Sequence, residues 1–319
     1  MRSIKKNISK LTRQEWINLR RDSIGGSDSA TILEWTQRSY YELWGDKSGL
    51  YEKKDFSNNK TRRGQILEDV VAHMWMHWEK DTETMYKNLA EGKIINRAQK
   101  TPYMYYHPKY PFMSANLDRI IIDKKDGRGP GVLECKTTSS LAVNMWKAGV
   151  DPAYVCQIQH YMMVTGMKWG EIAMFIVDTG DFEVFKFERD EKIIKTLKEQ
   201  EIKFWSRVEG TRKAIASRQS YSAFEPNPEH SEAFKDFMQA HFTAEPGLIV
   251  EGDENDMRRV LEFKAIKEEI AEKEKELLKR ENLLKFKMKS ADEMIITDYL
   301  SVRWKADKNG KRRFSIKEK

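Results

Sequence analysis

Residues 114–138, SANLDRIIIDKKDGRGPGVLECKTT, constrain the chain more than any other stretch. An apolar run at 120–122 and the pair Val132-Leu133 flank a Gly/Asp-rich turn at 124–131, a pattern that predicts an antiparallel hairpin. Side chains two apart on a strand point the same way, so Glu134 and Lys136 share a face while Leu133 and Cys135 take the other. Charged groups are rarely buried without a partner. Asp118 lies just ahead of the first strand, and the turn is short enough to bring it near Glu134. Two neighbouring carboxylates repel and raise one pKa unless a cation lies between them. Magnesium would resolve the repulsion, because it takes oxygen ligands and keeps several waters. A lysine beside such an ion can orient or deprotonate one of those waters for attack on a phosphodiester.

The rest of the pattern places this hairpin in a mixed α/β sandwich with a central sheet. Short helices are expected over 11–21 and 39–49, and a longer one over 61–80. The longer one has apolar positions at 66, 67, 70, 71, 74, 75 and 78, a wide face to bury, with Glu68 one residue off it. Strands are expected over 94–107 and 114–123. After Pro152 a helix runs to Gly166, with Gln157 and Tyr161 four apart and so on one face. A second hairpin covers 171–178 and 182–189, and a long helix follows over 190–211. Gly25-Gly26 interrupts the chain, and Ser27 or Asp28 can cap a helix starting there. A helix start beside Arg20 and Arg21 is a natural anion site.

The chain is expected to divide into a core at 1–220, an irregular connection with one short helix at 221–250, and a C-terminal part at 251–319. That last part combines a long charged helix with a hairpin turning at Asn309-Gly310. Net charge is +7, but residues 1–21 and 301–319 each carry +6. Clustered positive charge favours a polyanion such as nucleic acid, although solvated basic tails would read the same way. Cys135 and Cys156 make neither a disulfide framework nor a four-cysteine metal set. No apolar run suits a signal peptide or a membrane span, so a cytoplasmic protein is expected. No G-x-x-x-x-G-K-[ST] phosphate loop occurs, so an ATP-independent activity is expected.

Five stretches carry a resemblance: LRRDSIGGSDSATIL (19–33), RGQILED (63–69), SANLDRIII (114–122), GVLECKTT (131–138) and QIQHY (157–161). In this order they resemble the PD-(D/E)XK nuclease superfamily, and within it the YqaJ-like phage recombinases related to lambda exonuclease. Leu117 stands where the superfamily has its proline, and Cys135 where an aliphatic residue is usual. The resemblance implies a PD-(D/E)XK nuclease core, a central mixed β-sheet flanked by helices, with a C-terminal long helix and β-hairpin. It implies that Asp118, Glu134 and the Cys135 carbonyl hold Mg2+, for which Mn2+ can substitute, with Glu68 assisting that ion or a second. Lys136 would position the attacking water, while Gln157 and Tyr161 brace the site. Arg20 and Ser27 would form a pocket for a DNA 5′-phosphate, with Arg21 an alternative to Arg20. The implied activity is exonucleolytic digestion of linear double-stranded DNA from the 5′ end, leaving a 3′ single strand. The implied partners are a single-strand annealing protein and further copies of the chain in a ring such as a trimer, in a bacterial host of phage or prophage. Two rivals stay open: a structure-specific or nicking endonuclease, and a non-catalytic DNA-end-binding protein.

Overall fold

The computed structural model describes residues 3–36, 38–51, 59–123, 128–145 and 150–318, in two units, Met1–Thr243 and Ala244–Lys319. The turn expected at 124–131 lies partly outside the described residues. In the first unit, strand β1 (Ile4–Asn7) leads to α1 (Arg13–Arg21), α2 (Gly26–Ile32), α3 (Tyr40–Ser48), α4 (Asn59–His77) and α5 (Thr82–Ala90). Strands β2 (Arg97–Gln99), β3 (Tyr103–Tyr106), β4 (Ser114–Ala115), β5 (Arg119–Asp123) and β6 (Gly131–Thr138) follow. Then come α6 (Ser140–Met145), α7 (Pro152–Thr165), β7 (Trp169–Ile176), β8 (Asp181–Glu188), α8 (Glu191–Ala216) and, after a single 3-10 turn, α9 (Glu232–His241).

The main sheet has the order β2-β5-β6-β7-β8. Only β6 and β7 run parallel in it; the other neighbours are antiparallel. The period-2 rule is visible in β6. Val132 packs into a core with Ile158, Tyr161 and Met162 of α7, whereas Leu133 packs with Val71 and Trp75 of α4 and Met85 of α5. The sheet is therefore covered on both faces, and its central strand is apolar until it reaches Glu134. A third cluster joins α3, α8 and α9 through Trp44, Phe204 and Phe237. Strands β1, β3 and β4 make a separate small sheet.

Helix boundaries follow local chemistry. Thr12 caps α1 in a capping box with Glu15. Asp151 caps α7, Pro152 opens it, and Gly166 closes it at φ 78°. Three readings need correction. The broad apolar face expected over 61–80 is only partly buried: Val71, Met74 and Trp75 are inside, but Ile66 is 75% and Val70 45% exposed. Helix α5 was not expected, although Asp81 caps it as sequence rules allow. And α2 is capped by Gly25, with Asp28 returning to the Gly25 N–H at 3.0 Å, so Ser27 lies inside the first turn.

The second unit contains α10 (Glu254–Met288) and the sheet β9-β10-β11, from Glu293–Thr297, Leu300–Ala306 and Arg312–Glu318. The expected hairpin is β10–β11, with Gly310 at φ 78° in its turn; β9 adds a third strand. Among the described residues no helix is long and apolar enough to cross a membrane.

Candidate active site

Strand β6 and helix α7 pack together through Val132 and Ile158. Glu134 is buried, and its Oε1 accepts from Lys136 Nζ at 2.6 Å and from Gln157 Nε2 at 2.6 Å. Lys136 Nζ also donates to Gln157 Oε1 at 3.0 Å. Gln157 Nε2 lies 2.9 Å from the Tyr161 hydroxyl. The two-residue period of the strand and the four-residue step of the helix thus bring four sequence-predicted side chains into one network. Asp118, the residue just before β5, joins them. The ladder pairs Arg119 with Leu133, and Asp118 Oδ2 accepts from the Cys135 backbone N–H at 2.8 Å.

The electrostatics follow from crowding. Burial pushes the Asp118 carboxyl well above the usual carboxylate range; the charges of Glu134 and Glu68 add to that, while Lys136 and the Cys135 N–H oppose it. Burial alone would lower the Lys136 ammonium, but Glu134 and Asp118 outweigh it and hold the pKa above the usual lysine value. Lys136 therefore favours its protonated form in this network. Burial, then Asp118 and Glu134, push the Cys135 thiol well up, toward its protonated form.

The donor set suits a divalent cation. Glu134 Oε2 is buried without a hydrogen-bond partner, beside a second carboxylate whose proximity costs energy when both are ionised. Among the described residues, however, no three His, Cys, Asp or Glu side chains are gathered as ligands. Glu68, expected at the same ion, has its Oε1 on Arg119 Nη1 at 2.8 Å and 3.7 Å from Lys100 Nζ. Arg119 also holds Asp69.

At the N-terminal end, Arg20 Nη2 donates to Ser27 Oγ at 3.2 Å, and the Arg20 guanidinium lies 4.8 Å from the Trp16 ring centre. Arg21 is turned to Asp46 at 3.2 Å. Of the two arginines, Arg20 is the one facing Ser27. Beneath them Lys47 forms a buried ion pair with Asp28 at 2.9 Å. Gly26 touches α7 so closely that a Cβ there would lie 2.6 Å from the Tyr161 ring and 3.0 Å from Gln157 Cγ.

Sequence reasoning missed Arg119, Lys47, His160 and Glu201. Arg119 stands at the head of an apolar strand, where a charge must either reach solvent or find a partner, and the sequence alone does not say which. Nothing local marked the other three.

The mixed sheet, with an E-x-K strand paired antiparallel to the strand after Asp118, is similar in arrangement to a PD-(D/E)XK-like core. Residues 15–168 match the family model described as the YqaJ-like viral recombinase domain. It is 29% identical over 303 residues to the uncharacterized protein YqaJ of Bacillus subtilis (strain 168), covering 93% of this chain and 84% of the relative. Among solved structures it is similar to LHK-Exo in complex with dAMP, at 18% identity, TM-score 0.48, 64% of this chain and 97% of the other. It is also similar to the alkaline exonuclease (LHK-Exo) from Laribacter hongkongensis, at 17% identity, TM-score 0.48 and the same coverage. These two are partial likenesses of backbone; the sheet order and the side-chain network above are this chain's own.

Proposed function

We propose that this chain is a metal-dependent deoxyribonuclease that digests one strand of a linear duplex from its 5′ end. The observation that carries this reading is the buried network of Glu134, Lys136, Gln157 and Tyr161 against Asp118, with Glu134 Oε2 left without a hydrogen-bond partner.

Asp118, Glu134 and the Cys135 carbonyl would hold a magnesium or manganese ion, with Glu68 in support. When bound, such an ion supplies Lewis acidity to a scissile phosphate and compensates the two carboxylates. The chain's own groups do the rest. Gln157 bridges Glu134 and Lys136, and so fixes the separation of carboxylate and ammonium. Lys136 has three N–H donors and spends two on Glu134 and Gln157, which fixes where a further donor can meet an attacking water. Tyr161 braces Gln157 from the helix side. Arg20 with Ser27 would take a terminal 5′-phosphate, because a guanidinium and a hydroxyl suit a dianion. That pocket favours an exonuclease over an endonuclease. A single-strand annealing protein as partner and a ring of identical subunits complete the proposal, both by family resemblance.

The test is Glu134→Gln in the full chain, with magnesium and a 5′-phosphorylated, end-labelled linear duplex. Digestion should fall on the order of a thousandfold, since an anionic ligand of the ion that stabilises charge on the reacting phosphate is lost. Covalently closed circles should survive the wild-type protein. Undiminished digestion by the variant refutes the assignment.

A further inference from the structure

His160 lies wholly inside the first unit, on α7, next to Tyr161 and one turn after Gln157. Both of its ring nitrogens face acceptors. Nδ1 is 2.8 Å from Glu201 Oε1 on α8, and Nε2 is 2.9 Å from the carbonyl oxygen of Ser114 on β4. A carbonyl cannot donate, so Nε2 carries a hydrogen, and a second proton is shared between Nδ1 and Glu201. Glu201 Oε1 also accepts the Ser29 hydroxyl of α2 at 2.8 Å, while its Oε2 is buried with no partner among the described residues. Asp28 on α2 and His107 are further titratable groups whose charge couples to His160.

Packing does not call for this pair. A buried ion pair is often no more stabilising than apolar residues of similar volume. What distinguishes the pair is where it ties the chain. Helix α7 carries Gln157 and Tyr161. Strand β4 leads, four residues on, to Asp118. Helix α2 carries Ser27 and places Gly26 against the Tyr161 ring. Each element gripped by the pair holds a different part of the site.

We propose that His160, Glu201 and Ser29 form a buried positioning relay that sets α7, the Asp118 segment and α2 in register with one another. None of the three touches the reacting atoms. The inference rests on the nuclease reading above for its kinetic test, but not for its spectroscopic one.

Two variants of the full chain test it, Glu201→Gln and the apolar pair His160→Phe with Glu201→Leu. Circular dichroism and melting identify folded variants; the apolar pair should melt at or above the wild-type temperature. On 5′-phosphorylated linear duplex with magnesium, both should lose on the order of 10- to 100-fold in kcat. KM should stay within about twofold, because substrate contacts are untouched. A folded apolar pair with wild-type kcat overturns the proposal, since the two residues would then only fill space. In 15N-labelled protein, the Gln157 side-chain amide signal should move in Glu201→Gln; an unmoved signal also overturns the relay. If wild-type protein cleaves no DNA, the nuclease reading fails, and the amide signal still decides the relay.

Discussion

Asp28→Asn should be the most informative stability variant, because it removes a charge with almost no change of shape. Lys47 and Asp28 are only 3% and 5% exposed. The Lys47 ammonium donates to Asp28 Oδ2 at 2.9 Å, to the Arg20 carbonyl at 2.8 Å and to the Ser23 carbonyl at 2.7 Å. Burial pushes the Asp28 carboxyl up, but Lys47, then Arg20, more than offset this and hold it well below the usual carboxylate range. Burial pulls Lys47 down against the pull of Asp28, yet all three of its hydrogen bonds end on acceptors, so the pair is ionic. Asparagine can still accept from Lys47 and from the Gly25 N–H, but leaves a buried ammonium uncompensated, a change of about 3–5 kcal/mol. For a unit of 243 residues this lowers the melting temperature by about 6–20 °C.

The assay is urea unfolding at pH 7, with a pH series below 5. Because the folded pKa of Asp28 is depressed, its stabilisation is full above the unfolded value and lost as pH falls toward the folded one. The gap between wild type and Asp28→Asn should therefore narrow by about 1.4 kcal/mol per pH unit below about pH 4. Adding Lys47→Gln to Asp28→Asn should restore at least half the loss, since the orphaned charge goes with it. A single-variant loss under about 1 kcal/mol, or a gap that widens in acid, would refute the ionic pair.

Three further outcomes are expected. Arg20→Ala should erase any preference for 5′-phosphorylated over 5′-hydroxyl ends, read as the ratio of digestion rates; a preserved ratio would assign the pocket elsewhere. Gly26→Ala gains about 1 kcal/mol of helix propensity but overpacks Tyr161 by about 1–3 kcal/mol, so it should melt at or slightly below wild type while digestion drops, as melting and digestion assays would show. Burial disfavours charge on His160, but Glu201 and the Ser114 carbonyl raise its pKa above the ordinary histidine value. Its stabilisation is thus full below about pH 6.5 and fades as pH rises through the folded value, so the urea-measured gap between wild type and Glu201→Gln should be larger at pH 6 than in alkali.

The parts of the site that could be read from sequence were those fixed by local periods. Glu134 and Lys136 share a strand face, Gln157 and Tyr161 share a helix face, and both pairs meet as those periods require. A helix start beside two arginines was legible from the glycine pair, whereas the pairing of Arg20 with Ser27 came from the family resemblance. Arg119 was not, because a charge beside an apolar strand reads as solvated until its partners on α4 are known. His160 and Glu201 are 41 residues apart, joined only by helix packing that no local pattern encodes. The exposed Ile66 and Val70 were misread because an apolar stripe says that a helix has a face, not how much of it the sheet can cover.

Helix α10 has 35 residues, so it is about 52 Å long. Along it Val260, Phe263, Ile270 and Leu277 are all more than half exposed, and only Met288 at its end is buried. Most of its backbone is thus sustained by its own ladder and by ion pairs such as Arg280–Glu276, not by a core. Such a rod frays from its unsupported end as temperature rises. Its far-ultraviolet signal should decline as a gradual slope, earlier than any abrupt loss of structure elsewhere in the chain.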